Sequence, residues 1–222
     1  MRIATTQCNK YGQPEFSLAL EQNKILEADI QWLVRWLESE VAAGKRFKSG
    51  ETIQIGWMLT KVESFEDGLL KVCEPDMESF PIKFIDSVTT TLNHLRFQKM
   101  VAESVGMADQ LLFSPLNHSA ISCNWFKKHI GFFMERFEPK GSDSGWFIGC
   151  DDPNHDHQNS NNLERKSLYE LVTRCEKRIM QYLALPTGIS VYVRDGAPSF
   201  YREQVQLPIP PNSYLAASLS QK

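Results

Sequence analysis

The sequence predicts an α+β protein with two small domains, each a short, mainly antiparallel sheet packed with one long helix. Three stretches repeat apolar residues every three or four positions, which is the helical period, and several shorter stretches alternate with a period of two. The helical and extended stretches do not alternate regularly, as they would in a wound parallel sheet. We expect one domain over residues 1–115 and a second, of different character, over residues 116–222.

The first domain is predicted to contain two helices around a strand pair. The first helix ends at Gly44, and its inner face carries Leu26, Ile30, Leu33, Leu37 and Val41. Alternation from Ile53 to Leu59 predicts one strand, and the segment LLKVCEP after the turn at Gly68 predicts its return strand. Two prolines then indicate a connector. Asp86 or Ser87 is expected to cap the second helix.

The second domain is predicted to form three strands, a helix and a hairpin. The strands are SAISCNWF, HIGFFMERFEP and SGWFIGC, the second of them beginning at His129. The most regular apolar stripe of the chain predicts a helix whose inner face carries Leu168, Leu171, Val172, Cys175, Ile179 and Leu183. The segments ISVYVRD and SFYREQVQ predict a hairpin across GAP, and the polar, proline-containing tail is expected to lie loosely on the surface.

Composition excludes several classes of function. The formal net charge of −3 argues against general nucleic-acid binding, and the basic patches GKRFK and WFKKH are small. No run of 18 apolar residues predicts a membrane span, and the first residues do not resemble a secretory signal. The five cysteines include no CxxC pair, which favours free thiols in a reducing compartment. We therefore expect a cytoplasmic protein.

The run GSDSGWFIGCDDPNHDHQNSNN, which begins at Gly141, holds the residues best suited to chemistry. Its thiol, carboxylates and imidazoles are metal-ligand types. However, one residue separates His155 from His157, a spacing that points the two side chains apart in an extended segment, and no second cluster with recognised spacing occurs. GxSxG and the glycine-rich phosphate motifs are also absent. The sequence predicts no metal, no cofactor and no catalytic residue.

From Ala120 onward, the order of motifs resembles the bacterial polymorphic-toxin immunity family numbered thirty-three. An arginine-acid-proline segment is followed by a D-S-G-W strand with a glycine and an acidic pair, then by a helix and a Pro-x-Gly strand. The matching residues are Glu135, Arg136, Glu138, Pro139, Asp143, Ser144, Gly145, Trp146, Gly149, Asp151, Asp152, Pro186, Gly188, Tyr192 and Arg194. The first half resembles an N-terminal region found joined to this domain in proteobacterial proteins.

The resemblance implies an immunity protein that binds and neutralises a secreted antibacterial toxin, often a type VI secretion effector, and not an enzyme. Acidic and imidazole side chains of the loop would suit a basic cleft such as that of a nuclease. We expect toxin contacts from Asp151, Asp152, His155, Asp156 and His157. The other motif residues are expected to hold the fold. Two alternatives are open: a metal-dependent hydrolase using Asp151, Asp152, His155 and His157, and an accessory or chaperone protein for a secreted effector.

Overall fold

A computed structural model describes residues 1–126 and 131–219. The chain forms two compact units, Met1–Arg96 and Phe97–Lys222. Each unit holds one mixed sheet together with helical segments, so the predicted α+β class is confirmed. The division between the units falls inside a helix, whereas the sequence suggested a boundary after residue 115. Among the described residues, no helix is both long and apolar enough to cross a membrane.

The first unit packs helix α1 (Glu27–Ala42) on a six-stranded sheet. Its strands are β1 (Arg2–Ala4), β2 (Phe16–Ala19), β3 (Thr52–Ile55), β4 (Met58–Ser64), β5 (Leu70–Pro75) and β6 (Phe84–Ile85). They lie in the order β1-β2-β5-β4-β3, with β6 beside β5, and only β2 and β5 pair in parallel. The predicted inner face of α1 is buried at Ile30, Leu33, Leu37 and Val41. This apolar stripe joins the sheet residues in one core.

The strand predicted from Ile53 to Leu59 is instead a tight hairpin. Its two arms are β3 and β4, and Ile55 faces Met58 across the turn. Gly56 has a φ of +60°, a conformation that glycine adopts without steric cost, and it reverses the chain there. The apolar residues Ile53, Ile55, Trp57 and Leu59 keep a period of two in the sequence, but the buried face changes parity at the turn, since Met58, Thr60 and Val62 are buried on β4 and Leu59 is only partly buried. Periodicity alone therefore did not reveal the turn.

Helix α2 (Thr89–Ser104) begins at two side-chain caps. The Ser87 hydroxyl accepts a hydrogen bond from the first amide of the helix at 3.0 Å, as predicted. The buried Glu74 carboxylate accepts bonds from the next two amides at 3.1 and 2.6 Å. Asp86 is not a cap, because its carboxylate forms an ion pair with Arg2 at 2.7 Å. The Glu74 carboxylate lies at the N-terminus of α2, where a negative charge also interacts favourably with the helix dipole.

The second unit is built on a seven-stranded sheet with the order β10-β7-β9-β8-β11-β12-β13. Its strands are β7 (Ser119–Cys123), β8 (Phe132–Arg136), β9 (Asp143–Cys150), β10 (Leu163–Ser167), β11 (Ile189–Arg194), β12 (Ala197–Arg202) and β13 (Val205–Gln206). Among the described strands of this sheet, β7 and β9 are the one parallel pair. The predicted hairpin is formed by β11 and β12. The expected start of β8 at His129 lies outside the described residues.

The single helix predicted over 168–183 is wrong. The segment forms an α-turn at Leu168–Glu170, a π-helical turn at Leu171–Cys175 and a 3-10 helix at Lys177–Tyr182. Glu176 breaks it with an extended backbone, and its carboxylate accepts a bond from the amide of Arg178 at 2.9 Å. This local cap competes with a continuous helix. The apolar stripe remains buried except at Cys175, which is only partly buried, so the stripe indicated burial and not a continuous helix.

The C-terminal tail also differs from the expectation of a loose segment. Residues Tyr214–Leu219 form a short helix. Leu215 is buried, and its amide donates to the Ser104 hydroxyl at 3.3 Å. The Tyr214 ring also packs on Phe97 of α2 at a centroid distance of 6.1 Å, so ring contacts, burial and hydrogen bonding attach this helix to α2.

Candidate functional site

The D-S-G-W motif opens β9 and fixes the backbone there. The Asp143 carboxylate accepts a bond from the amide of Gly145 at 2.9 Å and pairs with Arg165 at 2.7 Å. Burial would raise the pKa of Asp143, but the hydrogen bonds from Arg165 and Gly145 outweigh it and lower the pKa. The buried Ser144 hydroxyl donates to the carbonyl of Ser119 at 2.7 Å and so ties β9 to β7.

Gly145 occupies a position that no larger residue fits. Its φ is +77°, and a Cβ atom would lie 2.1 Å from the carbonyl oxygen of Phe137. The same two residues are joined by a hydrogen bond from the Phe137 amide to the Gly145 carbonyl, at 2.8 Å. Close backbone approach and positive φ together require glycine here. The motif glycine therefore serves the turn between β8 and β9.

Arg136 is a buried cation held by carbonyl groups. Its side chain is 2% exposed. Nη1 lies 2.6, 3.0 and 2.5 Å from the carbonyl oxygens of Leu112, Leu183 and Leu185, and Nη2 donates to the Ser114 hydroxyl at 2.9 Å. Burial lowers the pKa of Arg136 to about 10. The guanidinium connects β8 to the loop before β7 and to the end of the segment 168–183.

The other motif residues occupy different environments. Trp146 is buried beside the Arg136 guanidinium and donates its indole N–H to the carbonyl of Leu183 at 3.3 Å. Pro186 is buried, while Gly188 is exposed with a φ of +81°. Arg194 is exposed at the end of β11, in contrast to the buried Arg136. Its expected role in holding the fold stays a prediction.

The loop after β9, residues 151–162, carries the predicted toxin contacts. Asp156 is exposed, and Asp151 and Asp152 are partly exposed. Asp152 accepts a bond from the amide of Asn154 at 2.8 Å, and Asp156 accepts one from the amide of Gln158 at 2.9 Å. These turns keep the loop compact. All three carboxylates nonetheless reach solvent on one segment.

The two loop histidines do not diverge. Turns around Asp152 and Asp156 fold the segment, and the imidazole centroids of His155 and His157 lie 4.7 Å apart. His155 is 8% exposed, which leaves little of its side chain for the expected toxin contact, and that contact stays a prediction. The prediction that the two side chains point apart failed because it assumed an extended backbone, in which side chains alternate.

Cys123 and Cys150 lie beside these histidines. The four potential ligand atoms, one each from Cys123, Cys150, His155 and His157, all lie within 4.8 Å of one another. Cys150 Sγ is 3.5 Å from His157 Nε2, and the Cys150 amide donates to Cys123 Sγ at 3.2 Å. Sequence reasoning missed this group because Cys123 is on β7, and only the parallel pairing of β7 with β9 brings it close.

Burial shifts the pKa of one thiol and one imidazole of this group. Burial raises the pKa of the Cys150 thiol to about 11. Burial, followed by the neighbouring His155, lowers the pKa of His157. Neither Cys123 nor Cys150 is part of a disulfide. Gly149 makes room for the group, since a Cβ there would lie 3.1 Å from His157 Nε2 and 2.2 Å from the Phe133 ring.

An aromatic row crosses one face of the same sheet. The rings of Phe147, Phe133, Tyr192 and Tyr201 follow one another with centroid distances of 5.8, 5.8 and 5.5 Å. All four side chains are partly exposed. His157 meets Phe133 edge-on at 5.2 Å, so the loop adjoins this row. Beside the row, a depression of about 530 Å³ is lined by Glu135, Ser190, Tyr192, Arg194, Ser199, Tyr201 and Gln204.

Comparison with known families gives one match. Residues 97–202, slightly less than half of the chain, match the model of the Imm33-like domain. The match begins where the second unit begins and ends with β12. No curated protein and no solved structure matches the chain. The family match supports an immunity-protein family for the C-terminal half, and it suggests a role as a binding protein.

Proposed function

We propose that this chain is an immunity protein that binds a cognate secreted antibacterial toxin and neutralises it by covering the active site. The Imm33-like match over the second unit carries the proposal. Inhibition of this kind requires no reaction by the immunity protein, only a complementary surface that excludes substrate. The proposal includes a cytoplasmic location, where the protein would protect the producing cell and its kin, and a type VI effector as the partner.

The aromatic row and the adjoining acidic loop form the proposed contact surface. Binding energy at protein interfaces concentrates in aromatic anchors near the centre, while polar residues occupy the rim. Tyr192 and Tyr201 offer such anchors, and the row lies on sheet strands that present it rigidly. Asp152 and Asp156 would supply the charged rim. Negative charge at that rim favours a partner with a basic cleft, of which a nuclease is the example we propose.

The alternative of an Asp/His hydrolase has less support from the geometry. Within the described residues, the group able to hold a metal ion contains His155 and His157 with two cysteines, and neither Asp151 nor Asp152. Four protein ligands would leave no open position for substrate or water. The accessory-protein alternative has no specific structural observation in its favour.

Co-expression with the toxin domain encoded beside its gene tests the proposal. We expect the wild-type chain to restore growth and to form a stoichiometric complex in vitro. Replacing Tyr192 by alanine should raise the Kd by about 30-fold or more, as expected for an anchor worth about 2 kcal/mol. Tyr11→Ala, at an exposed tyrosine of the first unit, is the matched control and should change the Kd less than twofold.

Charge reversal tests the rim separately. Asp156→Lys should slow association and weaken the dependence of the association rate on salt, because rim charges steer encounter more than they hold the complex. Growth inhibition that persists despite a folded, expressed wild-type chain would refute the immunity role. Increased toxin secretion without rescue would identify an accessory protein instead.

A further inference from the structure

We propose that Cys123, Cys150, His155 and His157 form a structural zinc site. The inference concerns this group alone and does not depend on the identity of the toxin or on toxin binding. Two thiols and two imidazoles are the ligand set of many four-coordinate structural zinc sites. Here they come from three places: the end of β7, the end of β9 and the loop that follows β9.

The distances fit a tetrahedral ion. With Zn–S bonds of about 2.3 Å and Zn–N bonds of about 2.0 Å, tetrahedral ligands lie roughly 3.3–3.8 Å from one another. The 3.5 Å distance from Cys150 Sγ to His157 Nε2 falls within that range. All four ligand atoms already lie within 4.8 Å of one another. Closing the remaining gap requires shifts of about an ångström, which side-chain rotation supplies.

His155 gives an independent indication of a ligand. Its side chain is 92% buried, the complement of its 8% exposure, yet Nε2 has no hydrogen-bond partner among the described residues. A buried polar atom without a partner costs about 1–3 kcal/mol, so a group in this position calls for an explanation. The ring is held against Trp125 at a centroid distance of 4.8 Å. A metal bond would satisfy the imidazole without moving it to solvent.

The ligand types select the metal and its role. Thiolates with imidazoles suit zinc, whereas magnesium and calcium prefer oxygen ligands. Two thiolates would neutralise the charge of Zn²⁺, and both thiol protons would leave to solvent as the ion binds. The result is a neutral complex, which suits a buried position. A closed set of four protein ligands indicates a structural site rather than a catalytic one.

The proposed ion would attach the acidic loop to the sheet. Cys123 and Cys150 belong to paired strands, while the two histidines belong to the loop. A zinc ion bound by all four would therefore fix residues 151–157 at the strand ends. Asp152, which precedes the histidines, and Asp156, which lies between them, would then hold defined positions.

Zinc analysis of the full chain tests the proposal. Protein expressed with added zinc and purified under reducing conditions without chelator should contain about one zinc per chain by mass spectrometry. Cobalt substitution should give the visible bands of tetrahedral Co²⁺ with thiolate charge transfer. Cys150→Ser and His157→Asn should reduce zinc at least fivefold. Cys175→Ser is the matched control, a cysteine of the same unit outside the group, and should retain full occupancy.

A folding defect in the variants would leave the wild-type measurements decisive. Zinc should protect two wild-type thiols from a thiol reagent, and a chelator should release them and lower the melting temperature. Wild-type protein that binds neither zinc nor cobalt would overturn the proposal. Full zinc retention in Cys150→Ser would also overturn it, as would a Cys123–Cys150 disulfide found in protein that was purified under reducing conditions.

Discussion

Replacement of Arg136 by methionine tests whether a buried cation without a carboxylate partner stabilises this fold. Methionine keeps much of the volume and removes the donors. The carbonyl of Leu183 keeps its bond from Trp146, but those of Leu112 and Leu185 and the hydroxyl of Ser114 lose a donor. Each buried group left without a partner costs about 1–3 kcal/mol, partly offset because the buried charge is removed. We expect a net destabilisation of about 3–4 kcal/mol.

Urea unfolding followed by tryptophan fluorescence measures this difference, because Trp146 lies against the guanidinium. Arg194→Met is the matched control: the arginine is exposed in the same sheet, and its loss should change stability by less than about 0.5 kcal/mol. If the free energy of unfolding of Arg136→Met falls by less than about 1 kcal/mol, or rises, the cost of burying the charge is as large as the stabilisation from its hydrogen bonds. The structural role assigned to Arg136 would then be refuted.

Three further predictions concern single residues. Gly145→Ala should destabilise the second unit by about 3 kcal/mol or more, because the backbone has a positive φ there and the added Cβ would clash with the carbonyl of Phe137. Gly141→Ala, at a φ of +56° with open space around it, is the control and should cost only about 1–2 kcal/mol. Equal losses of unfolding free energy in urea melts would contradict the clash. Burial lowers the pKa of His94 to about 4, so the unfolded chain binds more protons between pH 4 and 6.5 and stability falls as pH falls through that window. We expect His94 to contribute a loss of about 2 kcal/mol from pH 7 to pH 5, and His94→Phe should reduce the total loss by that amount. Glu74→Ala should cost about 1–3 kcal/mol in urea melts because two helix amides lose their acceptor, and an unchanged midpoint would exclude the cap.

Periodicity predicted the fold class and most elements, because burial imposes it on any half-buried strand or helix. It failed where local hydrogen bonds decide the backbone. Gly56 turned one predicted strand into a hairpin, and the Glu176 cap broke one predicted helix, while the apolar pattern continued through both positions. Strand β10 was missed because it is an edge strand with the charged residues Glu164 and Arg165, so its sequence shows no alternation of apolar and polar residues.

The candidate site was predictable only in part. The loop and its carboxylates are contiguous in sequence, so composition identified them. Cys123 lies 27 residues before Cys150 and joins the histidines only through the pairing of β7 with β9. The aromatic row likewise draws single residues from four strands, each with its own alternation. Groups of residues such as these come together only through the order of strands in the sheet, and the periodicity of a single sequence does not specify that order.

The pairing of β10 with β7 has a consequence for how such a protein could diversify. Leu163 faces Cys123 at the start of that ladder, so the chain leaves the sheet at the end of β9 and returns at the edge of the sheet, beside β7. Because each doubling of a flexible loop adds only about 0.6 kcal/mol of closure entropy, residues 158–162 can accept insertions while the scaffold stays intact. Related chains could therefore differ in the length of this stretch while their interior sequence stays nearly constant.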